Sequence, residues 1–142
     1  MSQIIRDITE IARCGAEYRA VQLTPMGLKG CHASYLSEIC ADPGLSQDKL
    51  AQRICINKSN VARQAAALEE SGFITRSPSA QDKRVMRLYP TEKALALLPQ
   101  IHRMLGCWED RLTEDLTEDE VRLLNELLAK MKAKASQWME AH

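Results

Sequence analysis

The stretch NKSNVARQAAALEESG, Asn57 to Gly72, holds its hydrogen-bonding side chains in its first half and its small apolar ones in its second. Asn57 is a favoured helix N-cap, Val61, Ala65 and Leu68 follow at steps of four and three, and Gly72 suits a helix end. The spacing predicts a helix with one narrow buried stripe.

Upstream, Ser46 can cap another short helix, with Asp48 placed where the helix dipole favours negative charge and Leu50, Ala51 and Ile54 on its inner face. Only Cys55-Ile56 separates the two segments, so they form a pair of helices across a tight turn. Before them, Cys31 to Cys40 is helical in pattern, with Leu36, Ile39 and Cys40 as its apolar side, and stops at Asp42-Pro43-Gly44. Ile4, Ile8, Ile11, Gly15 and Tyr18 mark a first helix that ends at Thr24-Pro25.

Downstream, Phe73 to Arg76 and Val85 to Tyr89 are strand-like, and the polar Ser77 to Lys83 between them gives a β-hairpin with a protruding loop. Thr91 can cap a long helix through Leu95, Leu98, Ile101, Leu105, Trp108 and Leu112, in which Pro99 is expected near the first turns or at a kink. Thr117-Glu118-Asp119-Glu120 fits a capping box. A last helix then carries Leu124, Leu127, Leu128, Met131 and Ala135 toward Trp138.

The 142 residues suffice for one core, and no internal repeat or long linker divides them. No apolar run is long enough for a bilayer and no leader pattern opens the chain, so a cytoplasmic protein without membrane contact is expected. Cys14, Cys31, Cys40, Cys55 and Cys107 are odd in number and lack a Cys-x-x-Cys pair, which favours reduced thiols over a disulfide framework or a zinc ribbon. No metal and no cofactor is expected.

With Val61, Ala65 and Leu68 inward, Lys58, Ser59, Asn60, Arg63 and Gln64 turn toward solvent. Such side chains also cover many merely wet helices. They are equally the types that read duplex DNA: arginine donates twice to guanine, glutamine or asparagine bonds adenine bidentately, and serine and lysine hold phosphates. The charge distribution favours the second reading. Nineteen basic and nineteen acidic residues cancel over the chain. Between Asn57 and Arg87, however, Lys58, Arg63, Arg76, Lys83, Arg84 and Arg87 face only Glu69, Glu70 and Asp82, a net +3, whereas Glu109 to Glu120 sets seven acids against Arg111, a net −6. A neutral total conceals a polarised molecule.

The run LSQDKLAQRICINKSNVARQAAALEESGFITRSPSAQDKRVMRLYPTEKA resembles the winged helix-turn-helix core of MarR-family transcriptional regulators, and the flanking helices are laid out as in that family. The LEESGFITR junction and Asp82-Lys83-Arg84, followed by Pro90-Thr91-Glu92-Lys93, are its most specific elements; Ala94 stands where the family usually has glycine. The resemblance implies a mainly α fold: a winged helix-turn-helix lobe over 29–90 with a two-stranded β wing, and dimerisation helices at 1–24 and 91–142, all in a single domain of 1–142. It further implies a homodimer on a pseudo-palindromic double-stranded operator, with recognition helices in major grooves and wings in flanking minor grooves. Arg84 then matches the wing-tip arginine, Asp82 the acid that shapes the tip, and Arg76 and Lys83 belong to the same basic wing. A plain salt bridge from Asp82 to Arg84 or Arg76 is the alternative role for these residues.

A homodimer also follows from the terminal helices, which carry more large apolar side chains than one chain can cover. Family members commonly respond to a small-molecule effector bound beside the DNA-binding lobe, for which Tyr18, His32, Tyr35, His102 and Trp108 are candidates. Others sense peroxide through a first-helix cysteine. Cys14 occupies such a position, with Tyr18 one turn away to hydrogen-bond a thiolate, although a buried and inert Cys14 is the simpler expectation. A winged-helix protein-interaction module without DNA binding is the rival from another class, and it predicts an apolar recognition face. An enzyme is disfavoured, because no nucleophile sits in a recognisable motif and no phosphate loop is present.

Overall fold

A computed structural model describes residues 3–142. The described chain runs α1 (Gln3–Leu23), a 3-10 turn (Thr24–Met26), α2 (His32–Ala41), β1 (Leu45–Ser46), α3 (Gln47–Ile54), α4 (Lys58–Glu70), β2 (Ile74–Pro78), β3 (Met86–Pro90), α5 (Glu92–Leu112) and α6 (Glu118–Ala141). This is the expected mainly α, winged helix-turn-helix architecture, with helices before and after a small antiparallel sheet. Two compact units compose it, one reaching to Gly106 and one from Cys107 to His142.

Within the first unit, Leu36, Ile39, Leu50, Val61, Leu68, Phe73, Ile74, Leu88 and Ile101 are at most 1% exposed and form one continuous core. The recognition stripe is as the spacing predicts: Val61, Ala65 and Leu68 are the buried residues of α4. Helices α3 and α4 each begin on a side-chain cap. The Ser46 hydroxyl accepts from the Lys49 N–H and the Asn57 carbonyl from the Asn60 N–H, each worth about 1 kcal/mol against alanine. Cys55, between α3 and α4, takes a left-handed conformation with φ of 57°, the one positive φ outside glycine among the described residues. That value closes the two-residue turn.

The sheet differs from expectation in two respects. Its order is β1-β3-β2, because Leu45 and Ser46 pair with Leu88 and Arg87 and add a third strand to the hairpin. Two residues show no period-2 pattern, so sequence alone did not reveal β1. The hairpin also pairs later than the β-branched residues suggested: Ser77 and Pro78 belong to β2, opposite Arg87 and Met86, and the tip spans 79–85. Pro78 is tolerated because β2 lies at the sheet edge, where its missing N–H leaves no ladder position empty.

Pro99 lies well inside the continuous α5 rather than at its start. The N–H it lacks would have bonded the carbonyl of the exposed Leu95, which water can satisfy instead. Thr91 works in both directions, its hydroxyl lying 2.7 Å from the Gly72 carbonyl and 3.4 Å from the Ala94 N–H. In the second unit the capping box forms as read: Glu120 N–H donates to Thr117 Oγ1 and Thr117 N–H to Glu120 Oε1. None of the 24 residues of α6 is buried.

Candidate nucleic-acid interface

The first turns of α4 are held by their own polar groups. Asn57 Oδ1 accepts from both the Asn60 N–H and the Ser59 hydroxyl, at 2.8 Å each, and Arg63 Nη2 donates to Asn60 Oδ1 at 3.3 Å. Lys58 Nζ lies 3.4 Å from Asp48 Oδ2, both side chains being more than two-thirds exposed. A bridge of that exposure contributes little to stability and is readily exchanged for another anion. Lys58, Ser59 and Arg63 are exposed and Asn60 is half-buried.

Gln64 is placed differently from the expectation of a freely projecting reader. It is half-buried, and its Oε1 lies 2.8 Å from Nε2 of the buried His32. The His32 Nδ1 in turn accepts from the Lys29 N–H at 3.0 Å. Burial holds the imidazole pKa below its ordinary value, the Gln64 hydrogen bond opposes that shift, and nearby Lys29 reinforces it. His32 is therefore neutral at pH 7, with both nitrogens satisfied.

A pH dependence follows. The unfolded chain takes up a proton on His32 as pH falls below about 6.5, while the folded chain resists doing so. Folding stability should thus decline from about pH 6.5 downward until the lowered folded pKa is passed, and urea melts of the His32→Gln variant should lack this component.

At the wing, Arg84 forms a closed bracket with Asp82. Its Nε and Nη2 lie 3.1 Å from the two carboxylate oxygens, and its backbone N–H is 3.0 Å from Oδ1. The Arg84 side chain and N–H hold the Asp82 pKa below the usual carboxylate value, so the bracket persists throughout the neutral range. The Arg84 side chain is nonetheless 91% exposed. Lys83 is exposed beside it. Ser79 anchors the base of the tip: it is buried, its hydroxyl lies 2.8 Å from Gln81 Oε1, and its N–H reaches the Val85 carbonyl at 2.7 Å.

Arg76 is committed inward rather than to the wing surface. Its backbone N–H and Nε donate to the two oxygens of Glu69, at 3.0 and 3.2 Å, and its Nη1 reaches Gln47 Oε1 at 3.1 Å. One guanidinium so joins the end of α4, the start of β2 and the start of α3. The bracket sits at seven-residue separation along the chain and was not legible as a pair. Replacing Glu69 by alanine leaves Arg76 without its carboxylate and should lower stability by about 1–2 kcal/mol in urea melts, a part-buried charged hydrogen bond being worth that order. Two further arginines act similarly: Arg87 Nη1 donates to the Gly44 carbonyl at 2.9 Å, and Arg53 spans Glu38 and Asp42. Spacing alone signalled neither contact.

The candidates for an effector site lie apart in character. Tyr35 is 1% exposed, packs edge-on to the His32 ring at 6.1 Å, and its hydroxyl has no hydrogen-bond partner among the described residues; the same holds for the Ser37 hydroxyl. Burial raises the Tyr35 pKa. The Tyr18 hydroxyl donates to the Met104 carbonyl at 3.1 Å. His102 is exposed and Trp108 half-buried. Cys14, expected to be buried, is exposed in the single chain, on a helix whose buried residues are Gly15 and Leu23.

Comparisons with known proteins agree on one group. A family model described as the MarR family matches residues 32–86. The HTH-type transcriptional regulator YybA of Bacillus subtilis (strain 168) is 30% identical over 132 residues, covering 93% of this chain and 88% of that protein. The crystal structure of the transcriptional regulator SlyA is 31% identical, covers 98% of both chains and superposes with a TM-score of 0.94. A MarR family regulator from Listeria monocytogenes, solved in complex with a 26-mer DNA, is 29% identical over 96% of this chain and 91% of that one, with a TM-score of 0.92.

Proposed function

The chain belongs to the MarR family of transcriptional regulators, and from that premise we propose that it is a homodimeric repressor of transcription that binds a pseudo-palindromic operator and is released by a small-molecule effector. The family regulates transcription and is not one of enzymes. In this reading the 29–90 lobe contacts double-stranded DNA. Lys58, Ser59, Asn60, Arg63 and Gln64 enter the major groove, and Lys83 and Arg84, shaped by Asp82, enter the flanking minor groove. Arg76 supports the wing from within. The carrying observation is the Arg84 tip, a guanidinium almost wholly open to solvent yet already ordered by its own carboxylate. A guanidinium presented in that way suits the negative potential of a narrow, A·T-rich minor groove.

Residues 1–24 and 91–142 are assigned to dimerisation. Ile4, Ile5, Ile8 and Ile11 on α1, and Leu123, Leu124, Leu127, Leu128 and Met131 on α6, are all exposed in the single chain. Apolar rows of that length call for a partner surface, and a second copy supplies a complementary one by two-fold symmetry.

The buried, unpartnered hydroxyls of Tyr35 and Ser37 support an effector, since a polar ligand would satisfy groups whose isolation costs about 1–3 kcal/mol each. Tyr18, His32, His102 and Trp108 complete the candidate set. Thiol-based release through Cys14, exposed in the single chain but carried on a helix assigned to dimerisation, is the second reading; unmodified Cys14 with intact operator binding after mild peroxide would remove it. No helix among the described residues is long and apolar enough to cross a membrane, which accords with action at DNA in the cytoplasm.

Selection of bound fragments from random duplex DNA at several salt concentrations tests the reading. The expected product is an inverted repeat with half-sites about 10 base pairs apart and an affinity that falls steeply with salt. Absence of preference for any duplex at low salt would reject it.

A further inference from the structure

The His32–Gln64 contact determines more than packing, because each polar group in it is fixed by the one behind it. The Lys29 backbone N–H can only donate, so the His32 Nδ1 it reaches at 3.0 Å must present a lone pair. A neutral imidazole with Nδ1 as acceptor carries its proton on Nε2. The group 2.8 Å away on Gln64 must then be the carbonyl oxygen. The Tyr35 ring packs edge-on to the imidazole at 6.1 Å. What remains is the Gln64 amide nitrogen, which makes no hydrogen bond among the described residues, on a half-buried side chain.

We infer that His32 is a positioning residue that fixes the polarity of Gln64, so that Gln64 offers DNA a donor only and selects guanine over adenine at its base pair. This rests on the reading of α4 as the major-groove helix. A free glutamine reads adenine by donating to N7 while accepting from the N6 amino group. With its oxygen turned to a buried histidine, Gln64 cannot complete that pair. Its two N–H bonds instead match the N7 and O6 acceptors of guanine. The expectation drawn from residue type alone, adenine, is thereby reversed by a side chain that never touches the duplex.

The test is selection of bound duplexes with four proteins: wild type, Gln64→Ala, His32→Leu and His32→Gln. Wild type should show one position per half-site at which guanine exceeds adenine by roughly tenfold, and Gln64→Ala should level that position alone. His32→Leu, which removes the donor, should bring adenine to parity or above. His32→Gln, which can restore an N–H at the position of Nε2, should keep the wild-type ratio; a merely structural role for His32 would move overall affinity and leave the base ratio untouched. An unchanged ratio in His32→Leu, adenine preferred at the Gln64-dependent position of wild type, or no position altered by Gln64→Ala while duplex binding persists would each overturn the inference. Loss of all duplex preference in wild type would instead overturn the DNA-binding reading itself. Should His32→Leu fail to fold, nitrogen chemical shifts of His32 in the native protein decide the matter: a proton on Nε2 is required, and one on Nδ1 overturns it.

Discussion

Replacing Arg84 by alanine should weaken operator binding by roughly thirtyfold or more, since a groove contact worth about 1–3 kcal/mol is lost twice in a two-fold complex. The side chain is 91% exposed and its hydrogen bonds run only to Asp82 in the same tip, so the melting transition should hardly move. Because the loss is of a groove contact, it should be largest on operators with A·T-rich flanks. The slope of log affinity against log salt should also fall by about one per wing. Arg84→Lys separates charge from shape. An ammonium keeps the Coulomb attraction but cannot span both oxygens of Asp82, so it should recover the salt slope without recovering the flank preference. Anisotropy titrations across salt and flank composition would read both. If Arg84→Ala and Arg63→Ala reduced affinity equally on every sequence, the division of labour between wing and helix would be wrong.

The double substitution Leu124→Glu with Leu128→Glu should convert the proposed dimer to a monomer at micromolar concentration and reduce operator affinity by more than about a hundredfold, since the second half-site then binds without the gain of linkage. Leu124 and Leu128 are one turn apart on α6, 39% and 42% exposed, in a helix that buries none of its residues. A helix in that state depends on an apolar partner for most of its stability, and each leucine covered contributes about 1.5–3 kcal/mol. Introducing two carboxylates on each face of a symmetric seam adds repulsion to the lost burial. Sedimentation would show the monomer and circular dichroism a fall in helicity. A dimer that survived both charges would reject the assignment of α6 to the interface.

Helices α3 and α4 are legible because each is written twice, once as an apolar stripe and once as a cap. Val61, Ala65 and Leu68 were placed by spacing and Asn57 by its amide; Ser46 and the Thr117–Glu120 box were equally local. Local chemistry at three- or four-residue range leaves a mark in the sequence. What escaped notice depends on tertiary neighbours. Leu45 and Ser46 form a strand only because β3 arrives beside them, and Arg76 turns inward only because Glu69 and Gln47 meet there. Strand β2 runs two residues beyond Arg76 because Ser77 and Pro78, weak strand formers, are recruited by the partner strand. Gln64 was assigned by type, and its type says nothing of the histidine behind it. Burial of Cys14 is the average habit of cysteine, and in the single chain its face of α1 is uncovered.

The contrast between the inner stripe and the outer face of α4 bears on how such a protein changes over generations. Lys58, Ser59 and Arg63 lie outside the core formed by Val61, Ala65 and Leu68, so mutation can rewrite target preference there while the fold tolerates each step. Gln64 is the exception, because its replacement strands a buried imidazole proton. Drift toward new target sites should therefore run through its outward neighbours first, and a lineage that alters Gln64 should be found to have altered His32 with it.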